Sequence, residues 1–150
     1  MTENLYFKNT CNEKDKNICL IYVHEFSETS AQTTKDQIKY VSDMAMNYKK
    51  DKLRFFWTDT KNVDFQETFE EEEPARPYIL VVKGKRQRAS IYEGEINQNS
   101  LENLADSLIG GNIRFKKMKF PLQFKDPDNL EYISYLFTFS ELFEILFIMQ

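Results

Sequence analysis

The chain has 150 residues, 41% apolar and 15% aromatic, enough large side chain to bury one sizeable core, and only four Gly and four Pro, which excludes a low-complexity or disordered composition. Its net charge of −4 carries no whole-chain signature of nucleic-acid binding. One His and two Cys are too few for a Cys/His zinc site, and no metal or other cofactor is read from the sequence.

The opening Met1-Thr2-Glu3-Asn4-Leu5 has neither a basic start nor an apolar h-region, so no secretory signal is read there. The chain is then either cytosolic or cut from a longer one. Asn4-Leu5-Tyr6-Phe7 resembles part of an expression-tag protease site, but Lys8 stands where such a site has Gln, and the stretch is read as native. Thr2 can cap a helix running to about Asn12. Ile18-Cys19-Leu20-Ile21-Tyr22-Val23 is a continuous apolar run rich in β-branched residues, the pattern of a strand covered on both faces. A Ser/Thr/Glu-rich loop follows, from Phe26 to Gln32.

Ile38, Val41, Met44, Ala45 and Tyr48 recur at helical spacing and predict a helix ending near Lys50. Leu53 to Thr58 is the next strand, which makes a parallel βαβ unit. Val63, Phe65 and Phe69 predict a short helix that ends in the acidic run Glu70 to Glu73, read as a solvated loop. Pro74 and Pro77 bracket an extended segment, and Tyr78 to Val82 is a third strand. Gly84-Lys85 suits a two-residue hairpin turn, with Arg86 to Tyr92 returning as an edge strand whose basic residues discourage pairing with other chains. Asn99, with Glu102 three residues on, is expected to cap the last core helix, whose apolar face is Leu101, Leu104, Ala105 and Leu108 and which Gly110-Gly111 ends. Residues 1–113 thus read as one domain and 114–150 as a C-terminal extension.

Within that extension, Arg114 to Lys119 is basic, and its lysines could meet an acidic partner or serve solubility. Phe120-Pro121 and Asp126-Pro127 mark irregular structure. Tyr132 to Met149 is densely apolar. Glu141 and Glu144 inside it argue against a membrane span, each costing roughly 2.5–3.5 kcal/mol at bilayer depth. A helix with Leu136, Phe139, Phe143, Leu146 and Phe147 on one broad face fits better, packing on the domain, self-associating through residues 132–149, or docking on a partner.

This order of elements, with Pro77-Tyr78-Ile79-Leu80-Val81-Val82-Lys83-Gly84-Lys85 leading through Tyr92-Glu93-Gly94 to the Leu101–Leu108 helix, resembles thioredoxin. The resemblance is closer to the noncatalytic, b-type thioredoxin-like domains of the protein disulfide isomerase family. It runs through Cys11…Cys19-Leu20-Ile21, Tyr48-Lys49-Lys50, Phe55-Phe56-Trp57-Thr58-Asp59 and Leu108-Ile109-Gly110-Gly111, over about residues 2–120. It implies an α/β fold with a central mixed sheet flanked by helices, its first edge strand trimmed or replaced because the first helix starts at once. It also implies a cis Arg76–Pro77 bond, the endoplasmic reticulum lumen, and a non-catalytic part in protein folding as a chaperone-like binding module or spacer. Its partners would be client polypeptides or other domains of the same chain.

Where the family's enzymes carry Cys-x-x-Cys, this chain reads Phe26-Ser27-Glu28-Thr29-Ser30-Ala31-Gln32, and hydroxyls cannot exchange disulfides. No catalytic residue is assigned. Cys11 and Cys19 are read as a structural disulfide, a reduced buried pair or an unusual redox pair. Phe26, Thr29, Arg76, Pro77 and Tyr78 are the candidates for contact with an extended peptide. Phe55, Phe56, Trp57, Phe65 and Phe69 read as core or, alternatively, as a peptide surface. His24, beside Glu25 at a strand end, reads as a surface or hydrogen-bonded residue or as an acid–base group. A second function class is a cytosolic thioredoxin-like adaptor that binds a partner protein through its surface and apolar C-terminal helix.

Overall fold

The computed structural model of the chain describes residues 10–11, 16–24, 31–75, 77–84, 87–119, 122, 124–125 and 131–133. Its centre is β1, Ile18–His24, buried at every position after the first. β1 pairs in parallel with β2, Leu53–Asp59, across α1, Ala31–Asn47, and antiparallel with β3, Tyr78–Lys83. A strand flanked on both edges and covered on both faces must be apolar throughout, which is why Cys19 to Val23 shows no polar alternation.

Successive side chains of a strand point to opposite faces, so the sheet sorts its own sequence into two cores. Leu20, Tyr22, Phe55, Trp57, Ile79 and Val81 enter the first, under α1 and α3, Gln98–Ile109. Ile38, Val41, Met44 and Ala45 of α1 and Leu101, Leu104, Ala105 and Leu108 of α3 cover it. Cys19, Ile21, Val23, Phe56, Tyr78, Leu80 and Val82 enter the second, with Cys11 and with Phe65 and Phe69 of α2, Phe65–Phe69. The molecule is an α/β layer structure with an open mixed sheet and helices on both faces, compatible with the thioredoxin-like arrangement.

Among the described residues the sheet has six strands in the order β5-β4-β3-β1-β2-β6, where β4 is Arg88–Tyr92, β5 is Lys116–Lys117 and β6 is Glu131–Ile133. Both outer strands come from the segment read as an extension. β4 is therefore not an edge, because β5 pairs outside it and sets Lys117 opposite Arg88 and Lys116 opposite Ala89. At the other side β6 pairs antiparallel with β2, so that tail backbone occupies the edge. The helix read from Tyr132 does not form at Tyr132 and Ile133. The open hydrogen-bonding edge of β2 gives these strand-favouring residues a ladder partner that an isolated helix end lacks. Residues 134–149 lie outside the described residues, as does all but the end of the first predicted helix.

Three local expectations are corrected. The hairpin between β3 and β4 is a four-residue connection, since Lys83 pairs with Arg88 and the Gln87 amide donates to the Gly84 carbonyl at 3.1 Å. Gln87 takes the left-handed conformation, with φ 49°, and its side-chain amide also reaches the Gly84 carbonyl, at 3.1 Å. α1 stops at Asn47, and Tyr48 to Lys52 turn the chain into β2. α3 is capped by Asn97, not Asn99: the Asn97 side chain accepts from the Ser100 amide at 2.9 Å, and the Ser100 hydroxyl accepts from the Asn97 amide at 2.9 Å. The longer Glu102 is not needed, because Ser at the third helical position closes the reciprocal box.

The C-terminus of α3 follows its glycines. The Asn112 amide donates to Ser107 at 2.9 Å and the Gly111 amide to Leu108 at 3.2 Å, the double closure that requires a left-handed residue, here Gly111 at φ 73°. Asn97→Ala should lower unfolding free energy by about 1 kcal/mol, measured by urea denaturation with the single Trp as reporter. A loss below about 0.3 kcal/mol would show that solvent replaces the cap.

Candidate functional site

Because β1 and β2 run in parallel from Ile18 and Leu53, their last residues, His24 and Asp59, are register partners. α1 begins nearby in sequence at Ala31, and β3 opens at Tyr78 opposite Val23. This strand-end region is where parallel sheets build sites. His24 is fully buried, its ring 5.7 Å from that of Tyr22 and 5.3 Å from that of Trp57. Burial pushes its pKa down to about 4, against the weaker upward pull of the Asp59 carboxylate. His24 is thus a neutral core residue, not a surface one, and lacks the solvent access of an acid–base catalyst; Glu25 lies outside the described residues.

Beneath it, the Tyr22 hydroxyl donates to Gln37 Oε1, and burial raises its pKa above the ordinary tyrosine value while a hydrogen bond with Thr34 opposes the rise. Trp57 is completely enclosed, as is Phe56, and Phe55, Phe65 and Phe69 are buried too. The aromatic set is core and offers no peptide surface.

Of the peptide-contact candidates, Pro77 and Tyr78 are brought to this end of the sheet. Phe26, Thr29 and Arg76 lie outside the described residues, and with Arg76 so does the Arg76–Pro77 bond. Tyr78 is corrected: it is 0% exposed, its ring meets Phe65 edge-on at 5.7 Å, and its hydroxyl donates to Glu73 Oε2 at 2.5 Å. An inward-pointing position on an interior strand cannot present its side chain to a peptide. Burial and the Glu73 carboxylate both raise the Tyr78 pKa, so it remains a donor at all ordinary pH values. Tyr78→Phe should cost about 0.5–1.5 kcal/mol in urea denaturation, the net value of one such hydrogen bond. Replacement of Glu73 by Gln should cost less, because an amide oxygen still accepts.

The cysteines sit elsewhere. Cys11 and Cys19 are disulfide-bonded with Cα atoms 6.1 Å apart, and both are buried in the second core. Cys19 is near the start of β1, so the bond lies about 16 Å down the strand from His24, at about 3.3 Å per residue. That distance, with burial, removes the pair from the position where a helix N-terminus would activate a thiol.

The acidic run is not simply solvated. Glu70 pairs with Lys119 and Glu71 with Lys116, the latter at 2.6 Å, while Glu73 holds Tyr78. Two lysines read as possible contacts for an acidic partner thus meet one within the chain. The run, with Val63, Phe65, Gln66 and Lys125, borders an open depression of about 570 Å³. Glu70 ends α2 in the left-handed conformation at φ 56° and turns the run toward β5. These exposed pairs guide the chain more than they stabilise it. Among the described residues no cluster of His, Cys, Asp or Glu is arranged to hold a metal ion, and no helix is long and apolar enough to cross a membrane.

The pairing of His24 with Asp59 was not read from the sequence. A signal was present, because each residue lies six positions after the first residue of its apolar run, and parallel strands of equal length align their ends. No protein-family model matches the chain, and a search of curated proteins finds no significant match.

Proposed function

We propose that the chain is a redox-inactive thioredoxin-like domain of the noncatalytic, b-type kind carried by protein disulfide isomerases, serving oxidative protein folding by binding client peptide or by spacing redox domains of a longer chain. The single observation that supports this reading most is the location of its thiols. The two cysteines are bonded to each other inside the second core, and the segment between β1 and α1, where a dithiol enzyme of this fold would have its cysteines, contains none. Helices on both faces of a mixed sheet and a proline, Pro77, immediately before β3 add to the case. The bonded pair also favours an oxidising compartment such as the endoplasmic reticulum lumen over a cytosolic adaptor with free thiols.

The depression beside α2 and the strand ends near Pro77 are the places where an extended client could lie. Self-association through residues 132–149 belongs to the same proposal, and most of that segment is outside the described residues. The decisive test is insulin reduction by dithiothreitol. The chain should give no acceleration over a Cys11→Ala/Cys19→Ala variant, and alkylated insulin B chain should bind saturably in fluorescence anisotropy. Acceleration that depends on the cysteines would sink the redox-inactive reading; absent binding with absent acceleration would leave the spacer role.

A further inference from the structure

We propose that the Cys11–Cys19 disulfide is closed to thiol exchange in the folded chain, so that its redox state is set as the domain folds and changes only when the domain opens. The bond joins Cys19, 0% exposed, to Cys11, 7% exposed. Exchange requires a thiolate to reach one of the two sulfurs, so access limits its rate. Both cysteines belong to the apolar cluster that also holds Ile21, Phe56, Leu80 and Val82, and a charged nucleophile entering that cluster loses its hydration without a partner.

Nor can Cys19 swing outward. It lies on an interior strand, opposite Arg54 on β2 and Val82 on β3. Exposing it means parting ladders on both sides, and core strands open only at free energies approaching that of global unfolding. The cysteines are eight residues apart in sequence. Such a short loop brings its ends together in well under a microsecond in an unfolded chain. Given a disulfide oxidant, one cysteine thiolate attacks it, the other displaces it from the mixed disulfide, and it leaves as a dithiol, so the bond forms while this segment is accessible. The sheet then seals it.

The chemistry of opening is ordinary. One thiolate of a dithiol reductant attacks one sulfur, forming a mixed disulfide and releasing the other cysteine as thiolate. The second reductant thiolate then displaces the remaining cysteine, leaving the reductant as a cyclic disulfide. The protein gains two electrons and takes two protons from solvent, ending with two thiols. A domain placed among thiol-exchanging partners would thereby keep its staple without becoming their substrate. The burial that protects the bond holds whatever the parent family.

The test follows reduction of the purified, unreduced chain by dithiothreitol, with timed iodoacetamide quenching and mass spectrometry. Without denaturant, reduction should be at least about a hundredfold slower than in unfolding urea, and its rate should climb steeply with urea. Phe56→Val, which loosens the cluster, should speed native reduction in proportion to its loss of stability. Three outcomes overturn the proposal: a native rate within about threefold of the unfolded rate, a Phe56→Val chain that is less stable yet reduced no faster, or a purified chain that already carries two free thiols.

Discussion

Acidification from about pH 7 to about pH 4 should remove about 3 kcal/mol of stability through His24 alone. The imidazole is fully buried at the end of β1, between Tyr22 and Trp57, and its pKa is pushed down to about 4, chiefly by burial. In the unfolded chain it returns to about 6.5. Between these values the unfolded state binds a proton that the folded state refuses, so protonation pulls the equilibrium toward unfolding. The stability is complete above about pH 6.5, falls by about 2 kcal/mol at pH 5 and by about 3 kcal/mol at pH 4, and changes little below that. Carboxylates as a class titrate at the acid end of this range, so a single pH profile does not isolate the histidine. The measurement is the difference between wild type and His24→Gln in urea midpoints at several pH values. The variant should lose the pH 4–6.5 slope that His24 supplies and keep the rest. Parallel profiles would mean that His24 is protonated within the fold.

Removing the disulfide should cost about 2–3 kcal/mol. A loop of this length, with eight residues of sequence separation, restricts the unfolded chain by about that amount in the loop-entropy account. The comparison is wild type against Cys11→Ala/Cys19→Ala by urea denaturation with Trp57 fluorescence. Alanine suits both sites, because serine would place hydroxyls in an apolar cluster. Trp57 suits the readout, being fully enclosed and the single Trp of the chain. The double variant should still unfold cooperatively, since the ladders of β1 with β2 and β3 do not involve the sulfurs. A change below about 0.5 kcal/mol would show that the unfolded chain already holds this segment compact.

The elements legible in sequence were those whose pattern is local. The β1 run, the α1 and α3 stripes and the Gly110-Gly111 stop each carry their own signal, and the structure places them within a few residues of expectation. The misses share one cause, a choice settled by a distant partner. Asn97 and Asn99 are both competent caps, and packing of the Leu101 face sets which one meets the third helical amide. Tyr78 sits beside a turn-like proline and reads as accessible, yet the parity of β3 turns it into the second core with Leu80 and Val82. His24 was placed at the right strand end, but its burial depended on Trp57 across the β1–β2 ladder.

The sequence by itself determined β1 to β4 and α1 to α3 to within a few residues, that one chain could bury a core of this size, and that dithiol chemistry was missing from the segment before α1. Those properties follow from side-chain type and spacing along a few neighbouring residues. Only the tertiary structure decided which chain segments form the sheet edges, where the acidic run finds its cations, and that the two sulfurs bond to each other inside the second core. β5 and β6 are two and three residues long, too short to carry a pattern, and exist because β4 and β2 offer open hydrogen-bonding edges. Lys116 meets Glu71 and Lys119 meets Glu70 because β5 returns past the end of α2, a proximity that no periodicity records.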